Sequence, residues 1–258
     1  MLINKNLRKK IVELIYKAKE GHIPSCLSII DICDVFYSRI LDIDKKNFKK
    51  KIRDYFILSK GHGAVALYVV LNKYNILSDK NLLSYCTNKG KLGGHPDSLT
   101  PGVDFSTGSL GHGFSNALGL ALGLKIQKSN NKKVICLVGD GECNEGVVWE
   151  TANLAANLFL DNFYCIVDLN NSSKKLLPID DLKKKWQSFG WYTIAANGHD
   201  PLDLYNKFKK IEKIKNKPKV ILANTVKGKG IYFMENNGSW HHKIPNLEEF
   251  SKIINILT

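Results

Sequence analysis

Two short segments carry the residues best suited to hold a metal and an anion. Gly139-Asp140-Gly141 closes one apolar run, and Asn170-Asn171 follows directly after the next. A carboxylate and an amide oxygen are hard ligands of the kind Mg2+ or Ca2+ takes, and such a site leaves room for diphosphate oxygens to complete the octahedron. Glycine at position 141 lets a backbone N–H approach a phosphate closely. Gly-Asp-Gly alone is also a favoured turn; its place at the end of a buried strand, level with Asn170, sets it apart. A glycine-rich stretch, Phe105 to Gly119 (FSTGSLGHGFSNALG), has Gly108, Gly111 and Gly113 for a tight loop, then small and apolar residues for a closely packed helix. The seven histidines are unevenly placed. His22, His62, His95 and His112 lie in turns flanked by glycine or proline, and His241 and His242 follow Trp240. Imidazoles in loops suit a site that handles anions and moves protons, because they titrate near neutrality.

These residues need elements to position them. Leu7, Ile11, Leu14, Ile15 and Ala18 recur at helical spacing, and Gly21 to Pro24 breaks the pattern. A second helix is expected with Ser28 as its cap and Ile29, Ile30, Cys33, Val35 and Phe36 on its apolar face. Tyr-Phe-Ile-Leu, within Asp54 to Ser59, reads as a strand entering the turn Ser59-Lys60-Gly61-His62-Gly63, with a helix behind it over Ala64 to Leu71. Lys133 to Val138 and Asn162 to Asp168 are uninterrupted apolar runs, as strands buried on both faces must be. A helix over Glu145 to Phe159 joins them. Trp191 to Ala195 and Lys219 to Asn224 read as two further strands, with a helix over Pro201 to Lys215 between. Alternating strands and helices predict an α/β fold, a mostly parallel sheet with helices on both faces. Ligands gather at the carboxyl ends of such strands, which would bring Asp140 and Asn170 side by side. No linker or internal repeat divides the chain, so residues 1–258 are expected to form one domain.

Composition narrows the function. Hydrophobic residues make up 44% of the 258, enough for a large core. No apolar run approaches the roughly 20 residues that span a bilayer, and the polar, basic segment Met1 to Lys10 is no secretory signal. Cys26, Cys33, Cys86, Cys136, Cys143 and Cys165 form no CxxC pair, which argues against a zinc site or disulfide framework and for a reduced, cytoplasmic setting. The net charge of +14 raises nucleic acid as a partner. Only Arg8, Arg39 and Arg53 among the 38 basic residues are arginines, however, and no basic stripe is interleaved with aromatics.

The ordered set GHIPS, SKGHG, GGHPD, STGSLGHG, GDGECNEG, VDLNN, TVKGKG and MENNGSWHHKIP resembles the amino-terminal, thiamine-diphosphate-binding domain of transketolases. The resemblance runs from about Lys5 to Leu247 and is closest to the split form, in which that domain is a separate chain. It implies a thiamine-diphosphate-binding fold and transfer of a two-carbon ketol unit from a ketose to an aldose. It further implies Asp140, Asn170 and the Ser172 carbonyl as ligands of Mg2+ (or Ca2+), and His62 and Gly141 on the diphosphate. Gly108, Ser109, Leu110 and Asn170 would also face the cofactor. His22, His95 and His241 would face substrate as catalytic groups, with His241 also reaching the cofactor. The glutamate that activates the cofactor belongs, in the family, to a pyrimidine-binding domain. The resemblance therefore implies a partner subunit carrying that domain and the C-terminal domain, in a dimer or heterotetramer, and no activity without it. Glu142 and Glu145 are read instead as caps of the helix that starts there.

Three departures from the family pattern stand out: Ile23-Pro24 after His22, His112 in the glycine loop, and the short segment 171–180 (NSSKKLLPID). They leave open whether the sugar is phosphorylated or nucleotide-linked. They also leave open a specialised role in sugar biosynthesis, or a related thiamine-diphosphate enzyme acting on 2-oxo acids.

Overall fold

The computed structural model describes residues 4–129, 131–174 and 177–258. Residues 1–3 of the basic amino terminus and Lys175 and Leu176 of the segment 171–180 lie outside the described residues, as does Asn130. The chain opens with α1 (Lys5–Ala18), which Asn4 caps by accepting from the Leu7 N–H at 3.2 Å. It ends at Lys19, whose φ of 55° cannot continue a helix. The next helix, α2 (Ile23–Val35), begins five residues before the expected cap. Pro24 sits in its first turn, where a missing N–H costs nothing. Ser28 is buried within α2, and its hydroxyl serves a different partner, described below.

The strands are β1 (Tyr55–Leu58), β2 (Val134–Gly139), β3 (Phe163–Leu169), β4 (Tyr192–Asn197) and β5 (Lys219–Asn224). Every pairing is parallel, in the order β1-β2-β3-β5-β4. Between them run α3 (Ala64–Lys73), α4 (Asp79–Leu83), α5 (His112–Ile126), α6 (Gly146–Asn157), α7 (Leu182–Ser188) and α8 (Pro201–Glu212), and α9 (Leu247–Leu257) closes the chain. Side chains alternate along each strand, so the sheet has two distinct cores. Phe56, Leu58, Ile135, Leu137, Ile166 and Ile221 pack against α1, α2, α3, α8 and α9. Tyr55, Ile57, Cys136, Val138, Val167 and Leu222 pack against α5, α6 and α7. The mostly parallel sheet covered on both faces is thus present.

α2 carries the burden of the first core: all but one of its residues are buried, Asp31 included. Asp31 is neutralised by Arg8 of α1, which is fully buried and donates to both carboxylate oxygens at 2.8 and 2.6 Å. Burial alone would raise the Asp31 carboxyl, but the bonds from Arg8 and His199 hold it below the usual range. The Arg8 Nε donates onward to the Lys229 carbonyl at 2.9 Å. His199 completes the group. Its Nε2 accepts from the Val226 N–H at 2.9 Å, which puts the ring proton on Nδ1, 2.8 Å from Asp31. Arg8→Ala strands that carboxylate in the core and is expected to cost about 3–5 kcal/mol. The shift in urea midpoint at unchanged m-value measures it; a loss under about 1 kcal/mol would show that the pair contributes little.

Candidate active site

The carboxyl ends of β1, β2, β3 and β5 meet at Asp168. Gly139 pairs with Asp168 in register, and the Asp140 N–H donates to the Asp168 carbonyl at 3.2 Å. The Asp168 carboxylate is fully buried and receives four groups. These are the Lys60 ammonium, the Thr225 hydroxyl, the Ser28 hydroxyl at 2.7 Å and the Asn170 amide at 2.9 Å. Burial would raise this carboxyl; the Lys60 charge and the hydroxyl donors outweigh it and hold it low. Of these five residues, sequence reasoning gives a site role to Asn170 alone. A signal for the others exists in the charged residue that ends the apolar run of β3 and in Lys60 within SKGHG.

Asp140 and Asn170 are brought together as expected, around Asp168. The Asp140 carboxyl is pushed up by burial and by the Asp168 charge, and no ion pair forms with it among the described residues. It accepts from the Gly141 N–H at 2.8 Å, and the Asn170 Oδ1 accepts from the Ser172 N–H at 3.0 Å. Gly141 is needed for closeness: a Cβ there would lie 3.2 Å from the Ser173 side chain. Beside them a cavity of about 260 Å³ is lined by Asp140, Asn171, Ser173, Lys174 and Asp181, among others. A hard cation fits this donor set, since it would relieve the unpaired, desolvated Asp140. No cluster of three or more His, Cys, Asp or Glu side chains among the described residues could hold a metal, so such a cation would need non-protein oxygens as well.

The histidines converge on one wall. His22 lies with its ring centroid 5.6 Å from His62, 6.2 Å from His95, 5.3 Å from His241 and 4.5 Å from His242. His62 is 6.1 Å from His241. Burial, then the neighbouring imidazoles, lower His22 to about 4. Burial and the Lys60 charge lower His62 to about 2. His241 is lowered by burial and by Lys227, whose ammonium sits 2.8 Å from its Nδ1. Lys227 itself, buried and close to Lys60, falls to about 8. His112 stays outside this group, exposed at the start of α5. Sequence reasoning passes over Lys227 within TVKGKG, although a lysine between a buried strand and a glycine turn is a phosphate-binding signal.

The glycine loop is fitted to the same wall. Gly108, at φ +151°, packs on the His95 ring, where a Cβ would lie 3.2 Å away. A Cβ on Gly61 would come within 2.9 Å of the Gly108 nitrogen. Ser109 and Leu110 lead from this contact into α5. Glu142 anchors the loop, which corrects its reading as a helix cap. Its buried carboxylate accepts from the Ser59 hydroxyl, from the Gly111 N–H at 2.7 Å and from the Gly139 N–H at 3.1 Å. A glutamate beside three convergent donors is a tie between motifs, and linear sequence does not reveal that convergence. Glu145 occupies the N-cap position of α6 but makes no side-chain capping bond. Of the departures, Ile23 is buried, and the Pro24 carbonyl receives the Gly228 N–H at 3.0 Å, tying α2 to the loop that bears Lys227.

A family model described as "Transketolase, thiamine diphosphate binding domain" matches residues 2–250. The chain belongs to the transketolase family. One of the two subunits of the apulose-4-phosphate transketolase of Actinobacillus succinogenes is 39% identical over 252 residues, 95% of this chain and 91% of that one. A 6-deoxy-6-sulfo-D-fructose transketolase subunit from a Clostridium species is 34% identical over 92% of this chain and 88% of that one. The crystal structure of transketolase from Campylobacter jejuni superposes with a TM-score of 0.88 at 30% identity, over all of this chain and 43% of that one. The chain thus spans about two fifths of the solved transketolase chains it matches and nearly the full length of relatives named as subunits.

The low pKa values of His22 and His62 set a stability trend. The unfolded chain binds protons at these positions from about pH 6.5 downward, whereas the folded protein resists until about 4 and about 2. Their contribution is intact above about pH 6.5 and is lost as pH falls below it, so stability declines through the range from about 6.5 towards 4. Histidine NMR titration should place His22 near 4; a midpoint close to the ordinary histidine value of about 6.5 would contradict the desolvated cluster.

Proposed function

We propose that this chain is the thiamine-diphosphate-binding half of a two-subunit transketolase, transferring a two-carbon ketol unit from a ketose to an aldose. The observation that carries this reading is the wall of neutral imidazoles, His22, His62, His95 and His241, beside a buried ammonium pair and an unpaired Asp140. Asp140, Asn170 and the Ser172 carbonyl would hold Mg2+, which the raised carboxyl of Asp140 favours. His62, Gly141 and Lys227 would contact the diphosphate, and Gly108, Ser109 and Leu110 would flank the cofactor ring. Thiamine diphosphate supplies the electron sink that stabilises carbanion character at the transferred carbon. His22, His95 and His241 bind sugar hydroxyls and exchange protons with them. Positioned acid–base groups contribute roughly 10²–10⁴-fold.

Relatives named as transketolase subunits support a partner that completes the site, which we propose carries the pyrimidine-binding domain within a heterotetramer. Their named substrates are sugars with an anionic end, phosphate or sulfonate, and we propose a ketose of that class here. Six free thiols, five of them buried, support a reducing cytoplasmic setting. Among the described residues no helix is long and apolar enough to cross a membrane. Two of the three arginines, Arg8 and Arg53, are consumed by buried ion pairs, which removes the best nucleic-acid ligands from the surface.

Ketol transfer is expected only when this chain is mixed with its partner, thiamine diphosphate and Mg2+. Cofactor binding without any transfer from a ketose panel would turn attention to 2-oxo acids. Asp140→Ala should weaken Mg2+-dependent cofactor binding in the mixture by about 100-fold, ~2.7 kcal/mol. Unchanged affinity by calorimetry would remove Asp140 from the site.

A further inference from the structure

His242 and Glu20 take no part in the assignments above, yet they border the same wall. The His242 ring is nearer to His22 than any other histidine is, 4.5 Å between centroids, and its Nε2 lies 3.2 Å from Glu20 Oε1. Both side chains are about half exposed, 52% and 44%, whereas His22 carries a buried Nδ1 with no partner among the described residues. The pair therefore stands on the solvent side of an imidazole that still needs a ligand.

Three segments are held together there. The Tyr85 hydroxyl donates to the Glu20 carbonyl at 3.1 Å and fixes the turn after α1. The Glu20 carboxylate rests over Gly94, one residue before His95, where a Cβ would lie 3.4 Å from Oε1. His242 follows the helical turn Gly238–Trp240, which Asn237 caps and whose Trp240 is buried against Phe233. Glu20 is also the one acidic group among those that set the His22 pKa; the others, His242, His241 and His95, are imidazoles.

We infer that Glu20 and His242 form a specificity element that reads the hydroxyl chain of the sugar beyond the transferred two-carbon unit. This rests on the ketol-transfer reading. The reacting carbons must reach the inner histidines and the cofactor, so the rest of the sugar lies outward, past His22, where this pair stands. A carboxylate accepts from adjacent hydroxyls, and an imidazole donates to or accepts from a third. The same carboxylate repels a phosphate or sulfonate at this point, which keeps the anionic end of the substrate farther from His22.

The test compares two donors in the reconstituted two-chain enzyme: a ketose of five or more carbons, and hydroxypyruvate, which has no hydroxyl chain to read. For Glu20→Gln and for His242→Gly, the ratio of kcat/KM for the ketose to that for hydroxypyruvate is expected to fall about tenfold, through KM. A merely structural role would lower both donors alike. An unchanged ratio, whether both values hold or both fall together, overturns the inference, as does a loss accounted for by weaker thiamine diphosphate binding in calorimetry. Failure of the underlying reading is seen separately, as no transfer from either donor by the unsubstituted enzyme, and it takes the inference with it.

Discussion

A lysine and an aspartate buried in the middle of a protein are costly, because each ion loses its water. Lys60 and Asp168 accept that cost at the point where four strand ends converge, and everything nearby is arranged to offset it. Lys60 comes from the turn after β1, Asp168 from β3, Thr225 from the loop after β5 and Ser28 from the middle of α2. Asn170 closes the set from the segment that follows β3. Because an unpaired charge here would be so unfavourable, the donors cannot drift without exposing it. One electrostatic constraint thus fixes the relative positions of segments that local backbone preference leaves free.

The surroundings of that pair lean towards positive charge without completing it. Lys227 sits near Lys60 with its proton affinity reduced, and the neighbouring imidazoles are driven neutral by burial and by one another. A pocket of this kind is short of anion. A diphosphate brings the missing negative charge, and a divalent cation at Asp140 would balance the excess that a diphosphate brings. Preorganisation of this sort lets a bound group be held without rearranging the donors at the moment of reaction.

Much of this is legible without the fold. The buried strands announce themselves as apolar runs, and Gly139-Asp140-Gly141 and Asn170 fall at equal depth because parallel register aligns their strands. The histidine turns can be seen to matter, but not which imidazoles meet: His112 has the same glycine flanks as His62 and ends exposed. Ser28 reads as a cap because serine before an apolar run usually is one. Its hydroxyl instead faces a carboxylate 140 residues away. Glu142 misleads for the same reason. An acidic residue at a helix start matches the dipole rule, whereas its real partners lie on three separate segments. Local chemistry is readable from sequence, and convergence is not.

The Arg8 contact has a temporal side. Its Nε partner, the carbonyl of Lys229, lies 221 residues downstream, and the separation between Glu20 and His242 is 222. A ribosome adding about 5–20 residues per second leaves Arg8 waiting roughly 10–45 s for that carbonyl. During this interval α1 and α2 have emerged with their apolar faces and no strands to cover them. The amino-terminal helices are therefore the segment of the nascent chain most dependent on chaperone shelter, and the basic, histidine-lined wall is the last part of the protein to take shape.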